Sequence, residues 1–116
     1  MDFILTETEF NKENIAWNGN RFGIRGTLEE YTKKQMCAVN MAGIYDRVRD
    51  SWRESVNAPN PIYTYVKVNG KAYTLPDEKP KFHQQELDFR YGIHCRVTRW
   101  KTEHGDITVI CERFAS

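Results

Sequence analysis

Residues 27–56 read TLEEYTKKQMCAVNMAGIYDRVRDSWRESV, and the fold turns on whether this stretch is a helix. Thr27 and Glu30 have the S/T-x-x-E spacing of a capping box, in which each side chain accepts from the other residue's free backbone N–H. After them Leu28, Tyr31, Ala38, Met41, Ala42, Tyr45, Val48, Trp52 and Val56 recur at three- and four-residue intervals, which is the period of a helix with one apolar stripe. Glu29 with Lys33 and Glu30 with Lys34 have the Glu-before-Lys order that adds about 0.2–0.5 kcal/mol per pair to a helix. Asn57, Pro59 and Pro61 then stop it, because proline lacks the N–H that continues a helix. The spacing predicts one long helix over about 27–57.

Working outward, the rest of the chain reads as strand and turn. Ile62 to Val68 and Lys71 to Leu75 flank Asn69-Gly70, a two-residue hairpin turn that sets Val66 opposite Tyr73 and Thr64 opposite Leu75. This puts Val66, Val68, Tyr73 and Leu75 on a face beneath the helix and Tyr63, Tyr65 and Lys67 on the other. Leu87 to Thr102 and Ile107 to Phe114 form a second hairpin. A two-residue loop at His104-Gly105 would place Arg96 opposite Arg113, whereas a three-residue loop ending at Gly105 places it opposite Glu112, and charge favours the second. Asn18-Gly19 predicts a short N-terminal hairpin between residues 15–17 and 21–24. The expected fold is therefore α+β, a single domain over residues 1–116 with one long helix on an antiparallel sheet of four or more strands.

Composition narrows the function. A 40% hydrophobic and 13% aromatic chain of 116 residues is long enough for one core and too apolar to be disordered. No apolar run approaches the ~20 residues needed to span a bilayer, and Met1-Asp2-Phe3-Ile4-Leu5 lacks the basic start of a secretory signal. The reading is cytoplasmic, with no membrane partner. Residues 1–56 hold eight basic and nine acidic side chains and residues 57–116 nine and seven, so neither half is a polycation suited to coating nucleic acid. Cys37, Cys95 and Cys111 are an odd, scattered set unlike a disulfide framework.

No catalytic or cofactor fingerprint stands out. Zinc sites in short chains use paired ligands such as C-x2-C, a spacing that His83, His94, His104 and the cysteines lack. A cysteine nucleophile needs a neighbouring base or a helix N-terminus, and none is signalled locally. The carboxylate pairs Glu86/Asp88 and Glu103/Asp106 lie by predicted turns, where solvated acids are common. Gly19, Gly23 and Gly26 match neither a dinucleotide fingerprint nor a P-loop, although Arg21 and Arg25 flank a glycine-rich entry to a helix and form a weak candidate ligand site for a phosphorylated molecule. Neither a metal nor a cofactor is expected.

The densest signal is Arg90 to Lys101, with four basic and two aromatic residues in twelve positions and no acid. Arg and aromatic side chains dominate protein interfaces and also stack on unpaired bases. Arg90, Arg96, Arg99, Trp100 and Lys101, with Tyr63 and Tyr65, are the candidate binding surface. The leading reading is a non-enzymatic small binding protein that grips, and inhibits, a protein partner, with a homodimer as a further option. The alternatives are nucleic-acid or nucleotide binding on the same strand, and a thiol- or zinc-dependent enzyme.

Overall fold

The computed structural model describes residues 2–9, 16–18, 22–25, 28–32, 38–48 and 52–114, and every regular element among them is a strand. In chain order these are β1 (Ile4–Glu7), β2 (Ala16–Asn18), β3 (Phe22–Arg25), β4 (Ala38–Val48), β5 (Trp52–Asn57), β6 (Val66–Val68), β7 (Lys71–Tyr73), β8 (Phe82–Asp88), β9 (Ile93–Thr102) and β10 (Gly105–Arg113). They pair antiparallel into one sheet ordered β1-β8-β9-β10, a second ordered β2-β3-β4-β5, and the separate β6-β7 hairpin.

The expected helix is corrected to a turn at Glu29–Glu30 followed by the β4-β5 pair, which makes the described chain all-β rather than α+β. Val39 shows why. It lies off the helical stripe, yet it pairs with Ile24 across β3-β4, and both are buried together with Leu87 of the first sheet. Helix propensities differ by only tenths of a kcal/mol per residue, less than burial of such a β-branched pair supplies. Meanwhile Met41, Tyr45 and Val56 of the supposed stripe are 42, 56 and 37% exposed. Gly43, costly inside a helix, takes φ +86° where the β4-β5 register shifts between Asn40 and Tyr45. Thr27, Lys33 and Lys34, on which the capping box and ion pairs rested, lie outside the described residues.

The hairpins differ in how well local chemistry sets them. Asn69 and Gly70 take φ 50° and 81°, and Val66 pairs with Tyr73, although the ladder ends before Thr64 and Leu75. β2 pairs with β3 with Asn18 opposite Gly23, so Asn18 is a strand residue rather than a turn residue. The final hairpin follows neither expected register. Its loop is Glu103-His104, and Arg96 stands opposite Cys111 while Arg113 stands opposite His94. Thr102 closes this turn, because its Oγ1 accepts from His104 N at 3.1 Å and donates to the Gly105 carbonyl at 2.6 Å.

Two apolar clusters join these layers. Ile24, Val39 and Leu87 tie the second sheet to the first, with Ala58 and Ile62 alongside. Leu28, Tyr73, Leu75 and Trp100 fasten the 28–32 segment and the β6-β7 hairpin onto the first sheet's inner face. Trp100 is 1% exposed and donates its indole N–H to the Glu78 carbonyl at 3.1 Å. Far-UV circular dichroism should show a sheet spectrum without the paired helical minima. Trp100→Ala should cost roughly 3–5 kcal/mol in urea unfolding, the range for large aromatic truncations in a core.

Candidate functional site

The inner face of the first sheet is unusually polar. Along β9 the inward positions are His94, Arg96, Thr98 and Trp100, all buried, and β8 contributes His83, Gln85 and Leu87. Alternation along each strand puts all of these on one face. Opposite them the Glu29–Glu30 turn lies over the sheet and points two carboxylates into it. Arg96, with no exposed side-chain surface, meets Glu30 through a fork of two bonds, Nη1 to Oε2 at 2.6 Å and Nη2 to Oε1 at 2.7 Å. Its Nε lies 3.1 Å from Glu29 Oε2, while Arg113 Nε donates to Glu29 Oε1 at 2.6 Å. Two arginines and two carboxylates thus form a neutral buried clasp between residues 66 to 84 positions apart.

The surrounding groups adjust to this charge. Burial alone would raise the pKa of Glu29, but Arg113 and then Arg96 outweigh it and hold the carboxyl below its ordinary value. Burial lowers that of Arg96, and the bond to Glu30 with the charges of Glu29 and Glu30 reverses this and raises it. His83 and His94 are pushed down to about 4, chiefly by burial and next by Arg96 and Arg113 respectively. Both are therefore neutral at neutral pH. His83 Nδ1 lies 3.0 Å from Thr98 Oγ1, and His94 Nε2 lies 3.1 Å from Gln85 Oε1. The segment over them is held by its backbone too: Asn60 Nδ2 donates to the carbonyls of Leu28 and Tyr31 at 2.9 Å each, and Thr64 N donates to that of Glu29 at 3.0 Å.

The residues singled out as one binding surface occupy several places. Arg96 and Trp100 are core residues, 0 and 1% exposed, and offer no surface to a partner. Arg99 and Lys101 sit on the opposite, outer face, where Arg99 lies 5.9 Å from the Phe82 ring centre and donates to Thr108 Oγ1 at 3.2 Å. Arg90 belongs to the turn before β9 and pairs with Asp88 at 3.1 Å. Tyr63 lines a shallow groove of about 320 Å³ with Tyr31, Thr32, Pro59 and Asn60, and the Tyr65 ring centre lies 5.9 Å from that of Tyr63. Arg21 lies outside the described residues, as does the side chain of Arg25, whose backbone runs in β3.

Residues 5–116 match the family described as glycosyl hydrolase family 65, N-terminal domain. The chain belongs to this family. Over its whole length it is 47% identical to the nigerose phosphorylase of Lachnoclostridium phytofermentans, of which it covers 16%. It is also similar to the kojibiose phosphorylase of Escherichia coli, at 33% identity over 97% of the chain and 16% of the relative. The 1,2-alpha-glucosylglycerol phosphorylase of Bacillus selenitireducens is 31% identical over 84% of the chain and 13% of the relative. The chain spans about a sixth of the length of these curated relatives.

Family membership corrects the functional reading. The relatives are enzymes, so a free-standing non-enzymatic inhibitor does not stand, nor does the nucleic-acid reading; the family's domain is a β-sandwich, not a helix on a sheet. A thiol- or zinc-dependent enzyme fares no better. The thiols of Cys95 and Cys111 are both raised, chiefly by burial, with Glu112 and Glu86 adding to Cys95. Cys37 lies outside the described residues, among which no group of three or more metal-ligating side chains gathers. No helix there is long and apolar enough to cross a membrane.

Within this glycosyl hydrolase family 65 N-terminal domain the clasp is sealed from any substrate, so its chemistry is structural. What sequence reasoning missed was Glu29 and Glu30 as partners of Arg96, and no local signal announces a pairing across 66 positions. Arg96→Met should cost roughly 3–5 kcal/mol, because it leaves two buried carboxylates with one arginine. The histidines set a pH dependence. Unfolded, they titrate near 6.5 and folded at about 4, so the unfolded chain takes up protons first as pH falls. Stability should drop by about 1.4 kcal/mol per pH unit for each histidine across that window. Urea midpoints measured between pH 7 and 4.5 check this.

Proposed function

We propose that this chain is the N-terminal domain of a glycoside phosphorylase, a longer enzyme that cleaves a sugar such as nigerose with inorganic phosphate. The observation that carries this is 47% identity to nigerose phosphorylase along 100% of the chain. Catalysis belongs to the portion of the polypeptide outside these residues. In this reading the domain's partner is that portion, received on the outer face of the first sheet. There Phe82, Ile93 and Ile110 are 41, 37 and 64% exposed, and no other layer among the described residues covers them. Exposed apolar surface of this kind marks an interaction site. Free Cys95 and Cys111 fit a reducing, cytoplasmic setting.

The full-length polypeptide should consume phosphate in the presence of nigerose and spare it without sugar, whereas the 116-residue chain alone should do neither. Cleavage that needs no phosphate, or none on nigerose, kojibiose or 1,2-alpha-glucosylglycerol, overturns the reading. For the outer face, Ile110→Glu should leave the isolated chain within about 0.5 kcal/mol of the original while lowering the melting temperature of the full-length enzyme. An equal effect on both would place the apolar demand inside this domain instead.

A further inference from the structure

The tip of the β6-β7 hairpin belongs to neither the clasp nor the outer face. Asn69 and Gly70 form its two-residue loop, both exposed, at φ 50° and 81°. Among the described residues the Asn69 carboxamide has no hydrogen-bond or ionic partner. Two nearby asparagines are held. Asn57 Oδ1 accepts from Val39 N at 2.8 Å, and the Asn60 carboxamide donates to the Leu28 and Tyr31 carbonyls, with Pro61 next in the chain. Space around the loop is open, since a Cβ placed on Gly70 would meet nothing within 4 Å. The hairpin stands apart from both larger sheets and has three residue pairs, of which Tyr73 at the base is anchored in the core. A two-stranded ladder this short is marginal by itself, so its tip opens locally at a free energy below that of global unfolding.

We propose that Asn69 is a site of spontaneous modification, at which the chain converts its own side-chain amide to an acid with water as the only co-reactant. When the tip opens, Asn69 leaves its left-handed conformation and the Gly70 nitrogen reaches the carboxamide carbon. A bond from that nitrogen to Cγ forms, the Cγ–Nδ2 bond breaks, and ammonia leaves with the Gly70 proton. A five-membered cyclic imide results. Water then adds at either of its carbonyl carbons and opens the ring, giving aspartate or isoaspartate with no change of oxidation state. Glycine after the asparagine has no side chain to hinder the attack, and asparagine is among the thermolabile residues. The new carboxylate arises in a cleft of about 510 Å³ that Asn69 shares with Lys71 and Lys101, so it meets two cations. Aspartate tolerates positive φ and keeps the turn, whereas isoaspartate adds a carbon to the main chain of a loop fixed at two residues. The inference rests on this hairpin and stands apart from the phosphorylase reading.

The test incubates the 116-residue chain at mildly alkaline pH, folded and in guanidinium chloride, and follows the peptide from Ser55 to Glu78 that a glutamate-specific protease releases. This peptide carries Asn57, Asn60 and Asn69 together, and mass spectrometry reads amide against acid at each. In the folded chain Asn69 should convert, more slowly than in denaturant, while Asn57 and Asn60 remain amides. Labelling by an isoaspartate-specific methyltransferase should rise in step. Ala72→Gly, which loosens the strand opposite Lys67 without touching the reacting pair, should speed conversion about two- to fivefold in the folded chain and leave the rate in denaturant unchanged. Asn69 intact in the folded chain while it converts in denaturant, conversion of Asn57 or Asn60 alongside it, or a folded rate indifferent to Ala72→Gly each overturn the proposal. Because neither sugar nor phosphate is present, failure here leaves phosphorolysis by the full-length enzyme untouched, and the converse holds.

Discussion

The Glu29–Glu30 turn that lies over the first sheet depends on Arg96. A guanidinium with no exposed surface must find all its partners inside the protein, and the Glu29–Glu30 turn is what supplies them. The desolvation of such a group costs several kcal/mol, so the clasp is better understood as specifying one arrangement than as adding net stability. With Arg113 on Glu29 the charges cancel, and the bidentate fork to Glu30 fixes the turn in orientation as well as position. Leu28 is thereby seated against Tyr73, Leu75 and Trp100, and the carbonyls of Leu28 and Tyr31 are presented to Asn60.

From this constraint follows the division of the molecule into faces. The inner face of the first sheet is filled by His83, Gln85, His94 and Arg96 and closed over by chain, so its many functional groups are consumed in holding the fold. Among the described residues the outer face, carrying Phe82, Val97 and Ile110, remains open. The outer face mixes apolar Phe82 and Ile110 with the exposed charges of Arg99 and Lys101.

Some of this was legible residue by residue. Asn69-Gly70 names its own turn, since both positions require positive φ, and the pairing of Val66 with Tyr73 followed from it. Alternation along β9 placed Arg96 and Trp100 on one face and Arg99 and Lys101 on the other. Alternation cannot tell which face is covered, and a surface of Arg96 with Trp100 was the consequence. The last hairpin slipped because Glu103-His104-Gly105 admits several loop lengths, and the choice is made by hydrogen bonds of Thr102 and by where Arg113 must sit to reach Glu29. The helical period over residues 27–56 was genuine as a pattern and false as structure in the residues of that range that are described, 28–32, 38–48 and 52–56.

What the sequence determined by itself is local: turn positions whose backbone angles few residues tolerate, strand alternation, and the absence of any linear fingerprint for metal or nucleotide. Only the tertiary structure decided that residues 38–48 and 52–57 are strands and that Arg96 is a core residue. Both depend on partners distant in the chain. Val39 needs Ile24 and Leu87 beside it to favour a sheet over a helix, and Arg96 needs Glu29 and Glu30 to be tolerated inside. Helix propensity is a weak preference summed along a segment, whereas burial of a matched pair or neutralisation of a buried charge is a large term that exists only once the chain has closed upon itself.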